Sequence, residues 1–113
     1  MHEMSIAMNI VDIACKQAQA EDASSISSIE LDLGTLAGVM VDSLKFCYES
    51  TCKDTLAEGS QLLINEIPGK GNCLECETEF EVDGFMTLCP NCESFKVDIF
   101  QGRELRLKAI SIN

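Results

Sequence analysis

The chain has 113 residues, of which 46% are hydrophobic, so it can bury one modest core, or a small core with an appendage. Nineteen acidic and eight basic residues give a formal net charge of −11, which repels nucleic acid and anionic lipid headgroups and excludes both as partners. No segment is predicted to be a signal peptide or a membrane span. Seven cysteines in a chain without an export signal are expected to be metal ligands or reduced thiols of a cytoplasmic protein.

The first half of the chain predicts a helix, a strand and a second helix. Apolar residues recur every three or four positions from residue 5 to about residue 20, which predicts an amphipathic helix with Ser5 as a candidate N-cap. Alternation over residues 29–33 predicts a strand with one buried face. Asp42 is placed to cap the second helix, and Gly59 lies beyond its end. The apolar face of that helix is predicted to hold Leu44, Cys47, Tyr48 and Thr51.

The second half predicts further strands on both sides of a cysteine-rich stretch. Strand-like sequences occupy residues 62–67, 97–100 and 105–112. The first of these is expected to end at Pro68-Gly69, and the last changes its apolar parity between Leu107 and Ile110, which suggests a bulge. Because two isolated strands and two helices make a thin core, we expect the last strand to return across the insert and complete a three-stranded sheet.

Four cysteines form two pairs, with two residues inside each pair and twelve between the pairs. A tight turn of that spacing aims both sulfurs of a pair at one ion. Residues 79–88, with Asp83-Gly84 as the turn, predict a hairpin that brings the second pair opposite the first. Zinc is the default ion for four thiolates, and a filled tetrahedron leaves no position for a reacting water, so the site is predicted to be structural rather than catalytic. The predicted zinc ligands are Cys73, Cys76, Cys89 and Cys92.

Other interpretations of this stretch stay open. Four sulfurs in a tetrahedron also suit iron in a rubredoxin-like site, and two disulfides or four unrelated thiols remain an alternative. The acidic residues at every second position from Glu75 to Asp83 indicate either a solvated strand face or a surface that recognises a partner. The remaining cysteines, Cys15, Cys47 and Cys52, are predicted to be packing residues.

The predicted fold class is therefore α+β, with two helices on a three-stranded sheet and an inserted zinc-ribbon lobe. The helices and the sheet are assigned to residues 1–68 with 97–113, and the zinc-binding domain to residues 69–96. Short connections are expected between these two domains.

The only histidine of the chain is His2. The Met1 amine, the His2 backbone nitrogen and the His2 imidazole can bind one ion together, and nitrogen donors in a tetragonal plane suit Ni²⁺ or Cu²⁺. Glu3, water or a group from another protein would fill the remaining position. An incomplete ligand set is what a metal carrier needs to release its cargo. The alternative is an inert surface or core histidine.

The chain resembles one family along essentially its whole length. The start MHEMSIA, the segment LDLGTLAGV, the two CxxC pairs and the closing GRELRLKAI are together similar to the HypA/HybF family of hydrogenase nickel-incorporation proteins. The resemblance implies that His2 is a nickel ligand with Met1 and Glu3 beside it, and that the four paired cysteines bind zinc. Glu77 and Glu93 depart from the family pattern, in which glycine is common after each pair.

The resemblance also implies a function. It predicts a small cytoplasmic nickel metallochaperone, monomeric or homodimeric, that works with a GTPase accessory protein and loads nickel into the precursor of a [NiFe] hydrogenase large subunit. Some members also serve urease, so urease accessory proteins are candidate partners. The rivals are a zinc-ribbon adaptor whose acidic hairpin recognises a partner, and a rubredoxin-like electron carrier. None of the three readings predicts an enzyme.

Overall fold

The computed structural model describes residues 3–83 and 87–113, which form two helices and six strands. The strands form two three-stranded sheets, with the orders β2-β1-β6 and β4-β3-β5. The predicted α+β class is confirmed. The elements are α1 (Glu3–Ala20), β1 (Ile26–Gly34), α2 (Val41–Cys52), β2 (Gln61–Ile67), β3 (Gly69–Cys73), β4 (Glu79–Val82), β5 (Val97–Gln101) and β6 (Leu105–Ile112).

The chain divides into two compact units. Unit 1 comprises Met1–Leu31, Val39–Asn65 and Arg106–Asn113, and unit 2 comprises Asp32–Gly38 and Glu66–Leu105. The segment 97–105 thus belongs to unit 2, whereas the predicted domain limits group it with the helices. A division by contacts does not measure which segments fold independently, so the limits 1–68 with 97–113 and 69–96 stay a prediction.

Helix α1 begins at Glu3, two residues before the predicted start, so Ser5 lies inside the helix and is not its N-cap. An acidic residue in a first turn is favourable because the N–H groups there carry a partial positive charge. The buried residues of α1 recur every three or four positions, as predicted for an amphipathic helix that packs against α2. They are Ile6, Ala7, Ile10, Val11, Ala14 and Ala18.

Helix α2 is preceded by Met40 as its N-cap, and Met40 makes no side-chain cap. The prediction that Asp42 caps this helix is therefore wrong, since Asp42 lies in the first turn. A backbone amide at the start of α2 has its hydrogen-bond partner in α1. Oε2 of Glu3 accepts a hydrogen bond from the backbone N–H of Met40 at 3.1 Å. Leu44 and Tyr48 are buried as predicted, while Cys47 and Thr51 are half-buried.

The sheet β2-β1-β6 contains the strand that the sequence predicts over residues 29–33, which is part of β1. Ile29, Leu31 and Leu33 of β1 are almost fully buried, and β6 pairs beside β1, so the returning last strand is confirmed. Leu107 and Ile110 of β6 both pack against the core, three positions apart. Strict alternation would not place both inward, but the suggested bulge stays a prediction.

The sheet β4-β3-β5 was not predicted in this form. Pro68 does end β2, but a new strand resumes at Gly69. Strand β4 pairs with β3 in an antiparallel register that sets Glu81 opposite Lys70, and residues 87 and 88 form no strand. The predicted hairpin 79–88 is therefore wrong in its pairing partner, and Gly84 of its predicted turn lies outside the described residues.

Two sequence motifs meet within unit 2. The N–H of Gly34, in LDLGTLAGV, donates to the carbonyl of Glu104 at 2.7 Å, and the N–H of Leu36 donates to the carbonyl of Gly102 at 2.7 Å. A Cβ atom on Gly34 would collide with the carbonyl oxygen of Gly102, so this close approach requires glycine. The motifs that carry the family resemblance here hold the backbone of unit 2 together.

Candidate metal centre

Four cysteine sulfurs meet at one end of the sheet β4-β3-β5. Their Sγ atoms all lie within 4.8 Å of one another. The sulfurs of Cys73 and Cys92 are 3.5 Å apart, as are those of Cys76 and Cys89. Four ligands about 2.3 Å from a central ion in a tetrahedron would lie roughly 3.8 Å apart, so the cluster has the size of a four-thiolate metal site. The two pairs of cysteines lie together in the structure, as the sequence predicts.

Each pair is held by the same backbone arrangement. In the first pair, the sulfur of Cys73 accepts hydrogen bonds from the N–H groups of Glu75 and Cys76, both at 3.4 Å. In the second pair, the sulfur of Cys89 accepts from the N–H groups of Asn91 and Cys92, at 3.4 and 3.5 Å. Amide dipoles aimed at a sulfur favour the negative thiolate, which is the form that binds a metal.

Hydrogen bonds also close each turn behind the sulfurs. The N–H of Glu77 donates to the carbonyl of Cys73 at 2.9 Å, and the N–H of Glu93 donates to the carbonyl of Cys89 at 2.8 Å. The N–H groups of the two leading cysteines donate in turn to the carbonyls of Thr78 and Ser94. The two turns are thus near copies of each other, as a two-residue spacing requires.

Side chains around Cys76 add to this effect. The Thr78 hydroxyl lies 3.2 Å from its sulfur, and Nδ2 of Asn91 donates to it at 3.6 Å. These contacts, with Thr78 the larger, lower the pKa of the Cys76 thiol to about 6. Sequence reasoning missed both residues, because the only signal is a polar residue in or after each pair, which ordinary turns also carry.

The pKa of the Cys92 thiol shifts in the opposite direction. A hydrogen bond with the backbone of Ser94 lowers the pKa of its thiol, but desolvation and contacts with the three other cysteines raise that pKa to about 12. A thiol whose pKa is raised this far is protonated at neutral pH, so Cys92 can serve as a thiolate ligand only with a positive charge beside it. A divalent cation bound among the four sulfurs would supply that charge.

Both turns end in a backbone conformation that favours glycine. Glu77 and Glu93 each have a φ of 64°, in the left-handed region. These are the two positions where the sequence departs from the glycine that the resembling family commonly has. The departure leaves the fold of the turns intact, and a side chain in this region costs conformational energy.

Replacing Glu77 or Glu93 with glycine is therefore expected to stabilise the metal-loaded protein by about 0.5–1 kcal/mol per site. The left-handed conformation costs an L-residue roughly 1–2 kcal/mol, and the larger unfolded-state entropy of glycine offsets about half of this gain. The denaturant midpoint of metal-loaded protein measures the change. Glu79→Gly, in the extended strand β4, is the matched control and should destabilise instead. A lowered midpoint for both turn variants would contradict the prediction.

The acidic residues of this segment are exposed. Glu75, Glu77, Glu79, Glu81 and Asp83 all lie at the surface, and Glu79 and Glu81 project from one face of β4, opposite Asn72 and Lys70 of β3. Glu75 forms a salt bridge with Lys96 at 3.6 Å. This is the arrangement of a solvated strand face, and recognition of a partner by this surface stays a prediction.

The other cysteines lie in unit 1 and pack against its core. Cys52 is buried, and Cys15 and Cys47 are half-buried beside the core cluster, as predicted for packing residues. Burial raises the pKa of the Cys52 thiol, which disfavours the reactive thiolate. Within residues 3–83 and 87–113, the four paired cysteines are the one group of potential metal ligands.

The predicted nickel ligands are only partly covered by the structure. Met1 and His2 lie outside the described residues. Glu3 is described, as the first residue of α1, where its carboxylate accepts the hydrogen bond of Met40. Nickel binding at the start of the chain therefore stays a prediction.

Comparison with known proteins decides the family. A family model for "hydrogenase/urease nickel incorporation, metallochaperone, hypA" matches residues 1–112. The chain belongs to the HypA family. The resemblance read from the motifs is thereby confirmed.

Individual HypA proteins are similar along their full length. The hydrogenase maturation factors HypA of Chlorobaculum parvum and Chlorobaculum tepidum are 44% and 46% identical, and that of Azotobacter vinelandii is 40% identical. Each alignment covers 99% of this chain and 99% of the relative.

Solved HypA structures share the fold. The solution structure of the Ni metallochaperone HypA from Helicobacter pylori superposes with a TM-score of 0.67 at 22% identity, covering 99% of this chain and 97% of the other. A second HypA solution structure gives 0.73 at 22% identity, covering 100% and 97%. These likenesses support the two helices and two sheets described above.

As a member of the HypA family, this chain is a nickel metallochaperone that acts in hydrogenase or urease nickel incorporation. The family consists of metallochaperones rather than of catalysts. Maturation of a hydrogenase implies hydrogenase-related partners. No helix in the described part of the chain is long and apolar enough to cross a membrane.

Proposed function

We propose that this HypA protein binds Ni(II) at its N-terminus and delivers it to the precursor of a [NiFe] hydrogenase large subunit. The observation that carries the proposal is the family match, which begins at residue 1 and so includes Met1-His2-Glu3. The Met1 amine, the His2 backbone nitrogen and the His2 imidazole form the chelate. The chain acts as a carrier and performs no catalysis on its cargo.

The chemistry of these donors suits the cargo. Three nitrogens from two adjacent residues close two chelate rings without help from the fold, and nickel accepts nitrogen donors in a tetragonal plane. One position is left for Glu3, water or an atom of the acceptor. An ion held by an incomplete ligand set can pass to a protein that offers more ligands.

Glu3 is the replaceable member of this set. Its Oε2 atom accepts a hydrogen bond from the Met40 amide, so ligation of nickel by that oxygen would have to compete with this bond. The same bond anchors the residue next to His2 to the start of α2. Glu3 would thus hold the base of the chelate in place and change partners when the ion enters or leaves.

The four-cysteine cluster is proposed to bind structural zinc through Cys73, Cys76, Cys89 and Cys92. The supporting observations are the tetrahedral size of the cluster and the N–H groups aimed at its sulfurs. All four positions are filled by thiolates, so no water can be activated there. Zinc would supply the positive charge that stabilises neighbouring thiolates. Four cysteines are a common ligand set of structural zinc, so the residues present fit this ion.

The proposed partners follow from the delivery role. They are a GTPase accessory protein, the large-subunit precursor and, where the organism has urease, urease accessory proteins. We place the protein in the cytoplasm, where seven cysteines stay reduced. A net charge of −11 argues against nucleic acid as a partner.

Nickel titration of zinc-loaded wild type and His2→Ala tests the proposal. Wild type is expected to bind about one Ni(II) per chain, and His2→Ala to lose at least about 1.4 kcal/mol of binding free energy, which is tenfold in affinity. Zinc content and helix signal should be equal in both proteins. Equal nickel binding by the two would reject the terminal site and favour the adaptor role.

A further inference from the structure

The four sulfurs of the cysteine cluster differ in their exposure and in their hydrogen bonds. The leading cysteine of each pair, Cys73 or Cys89, is buried, and its sulfur accepts two backbone N–H groups. The trailing cysteines are more accessible, since Cys76 is half-buried and Cys92 is exposed. The backbones of the two turns are near copies, so the two trailing sulfurs differ through their exposure and through the side chains beside them.

Two side chains donate hydrogen bonds at the sulfur of Cys76. The hydroxyl of Thr78 lies 3.2 Å from this sulfur. Asn91 belongs to the second pair, and its Nδ2 atom donates to the Cys76 sulfur at 3.6 Å and to the Thr78 hydroxyl oxygen at 3.4 Å. Because a metal-bound thiolate carries no proton, the Thr78 hydroxyl must be the donor to Cys76 when the site is filled. These groups form one network that links the second turn to a sulfur of the first.

The equivalent positions beside Cys92 lack such donors. Ser94 lies two residues after Cys92, but its hydroxyl accepts a hydrogen bond from the backbone N–H of Lys96 at 3.1 Å. Glu75 occupies the position in the first turn that Asn91 occupies in the second, and its carboxylate forms a salt bridge with Lys96. Within residues 3–83 and 87–113, only the neighbouring cysteines bring a side chain within hydrogen-bond distance of the Cys92 sulfur.

Both differences affect how firmly a thiolate is held and how readily it reacts. Groups that hydrogen-bond to a metal ligand orient it, and their removal typically costs about 10–100-fold in metal affinity. A hydrogen bond to a thiolate also withdraws electron density from the sulfur and lowers its nucleophilicity. Exposure acts in the opposite direction, because water and reagents reach the sulfur. An exposed ligand without side-chain donors is therefore expected to leave the metal and to react before the others.

We propose that the zinc site opens at Cys92, so that this sulfur is the place in the cluster where thiol-directed electrophiles react first, while Asn91 and Thr78 keep Cys76 bound. The inference rests on the proposed binding of zinc by the four cysteines. The opened form is a minor one, so tight binding still requires all four ligands. Asn91 is a positioning residue, since its contacts are with Cys76 and Thr78.

Alkylation of the full zinc-loaded chain with iodoacetamide tests this inference. The thiolate sulfur forms a bond to the reagent carbon and iodide leaves, so each reacted cysteine carries a mass tag. Protein with a single tag is digested and mapped by mass spectrometry, because the loss of one ligand exposes the others. In wild type, Cys92 should be tagged about tenfold faster than Cys76, and both buried cysteines should be slower still. A chromophoric chelator should detect zinc release together with tagging of Cys92.

Substitutions test the two donors separately. Asn91→Ala and Thr78→Val should each raise the tagging rate of Cys76 about tenfold, because each removes a hydrogen bond to its sulfur. Tagging of Cys47, in unit 1, should not change in either variant. Ser94→Ala is the matched control and should react as wild type does, since the Ser94 hydroxyl accepts its hydrogen bond from Lys96.

Two results would overturn the opening at Cys92. One is equal tagging of the four cluster cysteines in wild type, or earliest tagging at a cysteine other than Cys92. The other is wild-type reactivity of Cys76 in both donor variants. Metal analysis before the reaction tests the zinc site itself, and zinc-free wild type would reject both proposals. The order of tagging in wild type needs no substitution, so it decides the question even if a variant fails to load zinc.

Discussion

Replacing Cys76 or Cys92 with serine is expected to abolish metal binding and to unfold the sheet β4-β3-β5, while α1 and α2 stay folded. Binding of structural zinc to a four-thiolate or mixed site is worth about 10–16 kcal/mol in small metal-binding modules. Strand β3 is short and reads GKGNC, so it has little side-chain surface to bury. The metal would therefore supply most of the free energy that holds this sheet together.

Three measurements check this result. Metal analysis should find about one zinc per chain in wild type and none in the variants. Hydrogen exchange should show lost protection in residues 69–101 and retained protection in α1 and α2. Cys15→Ser, at a half-buried cysteine outside the cluster, should keep its zinc and its sheet. A red iron site in wild type would support the electron-carrier rival, and loss of both helices would show that the predicted domains do not fold separately.

The four-cysteine cluster could be predicted from the sequence because its geometry is local. Two residues between cysteines define a tight turn wherever they occur, and two such turns need only meet. The strands that bring them together depend on distant residues. Strand β3 contains two glycines and no β-branched residue, so no strand propensity marks it, and it forms by pairing with β4 and β5. The predicted hairpin had the wrong partner because Asp83-Gly84 indicates a turn without naming the strand that follows.

Helix starts show the same limit. The periodicity of α1 and α2 was predicted correctly because the buried face repeats every three or four residues. The two capping residues were predicted wrongly, since Ser5 and Asp42 both lie inside their helices. The amide of Met40 is satisfied by Glu3, 37 residues away, and no local rule identifies such a partner. A contact between residues so far apart in the sequence forms only in the folded protein, so the residues near the start of a helix do not predict it.

Acetylating the Met1 amine is expected to weaken nickel binding as much as His2→Ala does. Acetylation removes the amine as a donor. This change opens the five-membered ring that joins the amine to the His2 backbone nitrogen. Zinc content and the fold should not change, because they depend on Cys73, Cys76, Cys89 and Cys92, far along the chain.

The terminal chelate also predicts how nickel affinity depends on pH and on combined changes. An α-amine and an imidazole ordinarily titrate near about 8 and about 6.5, and both must lose a proton to bind, so affinity should fall as the pH drops through neutrality. Acetylation of Met1 should cost little further affinity in the His2→Ala background, since two changes that break one chelate are not additive. Titrations of the four proteins, wild type, acetylated, His2→Ala and both, complete the cycle. If the acetylated protein binds nickel as tightly as wild type, the Met1 amine is no ligand, and His2 binds nickel with other side chains.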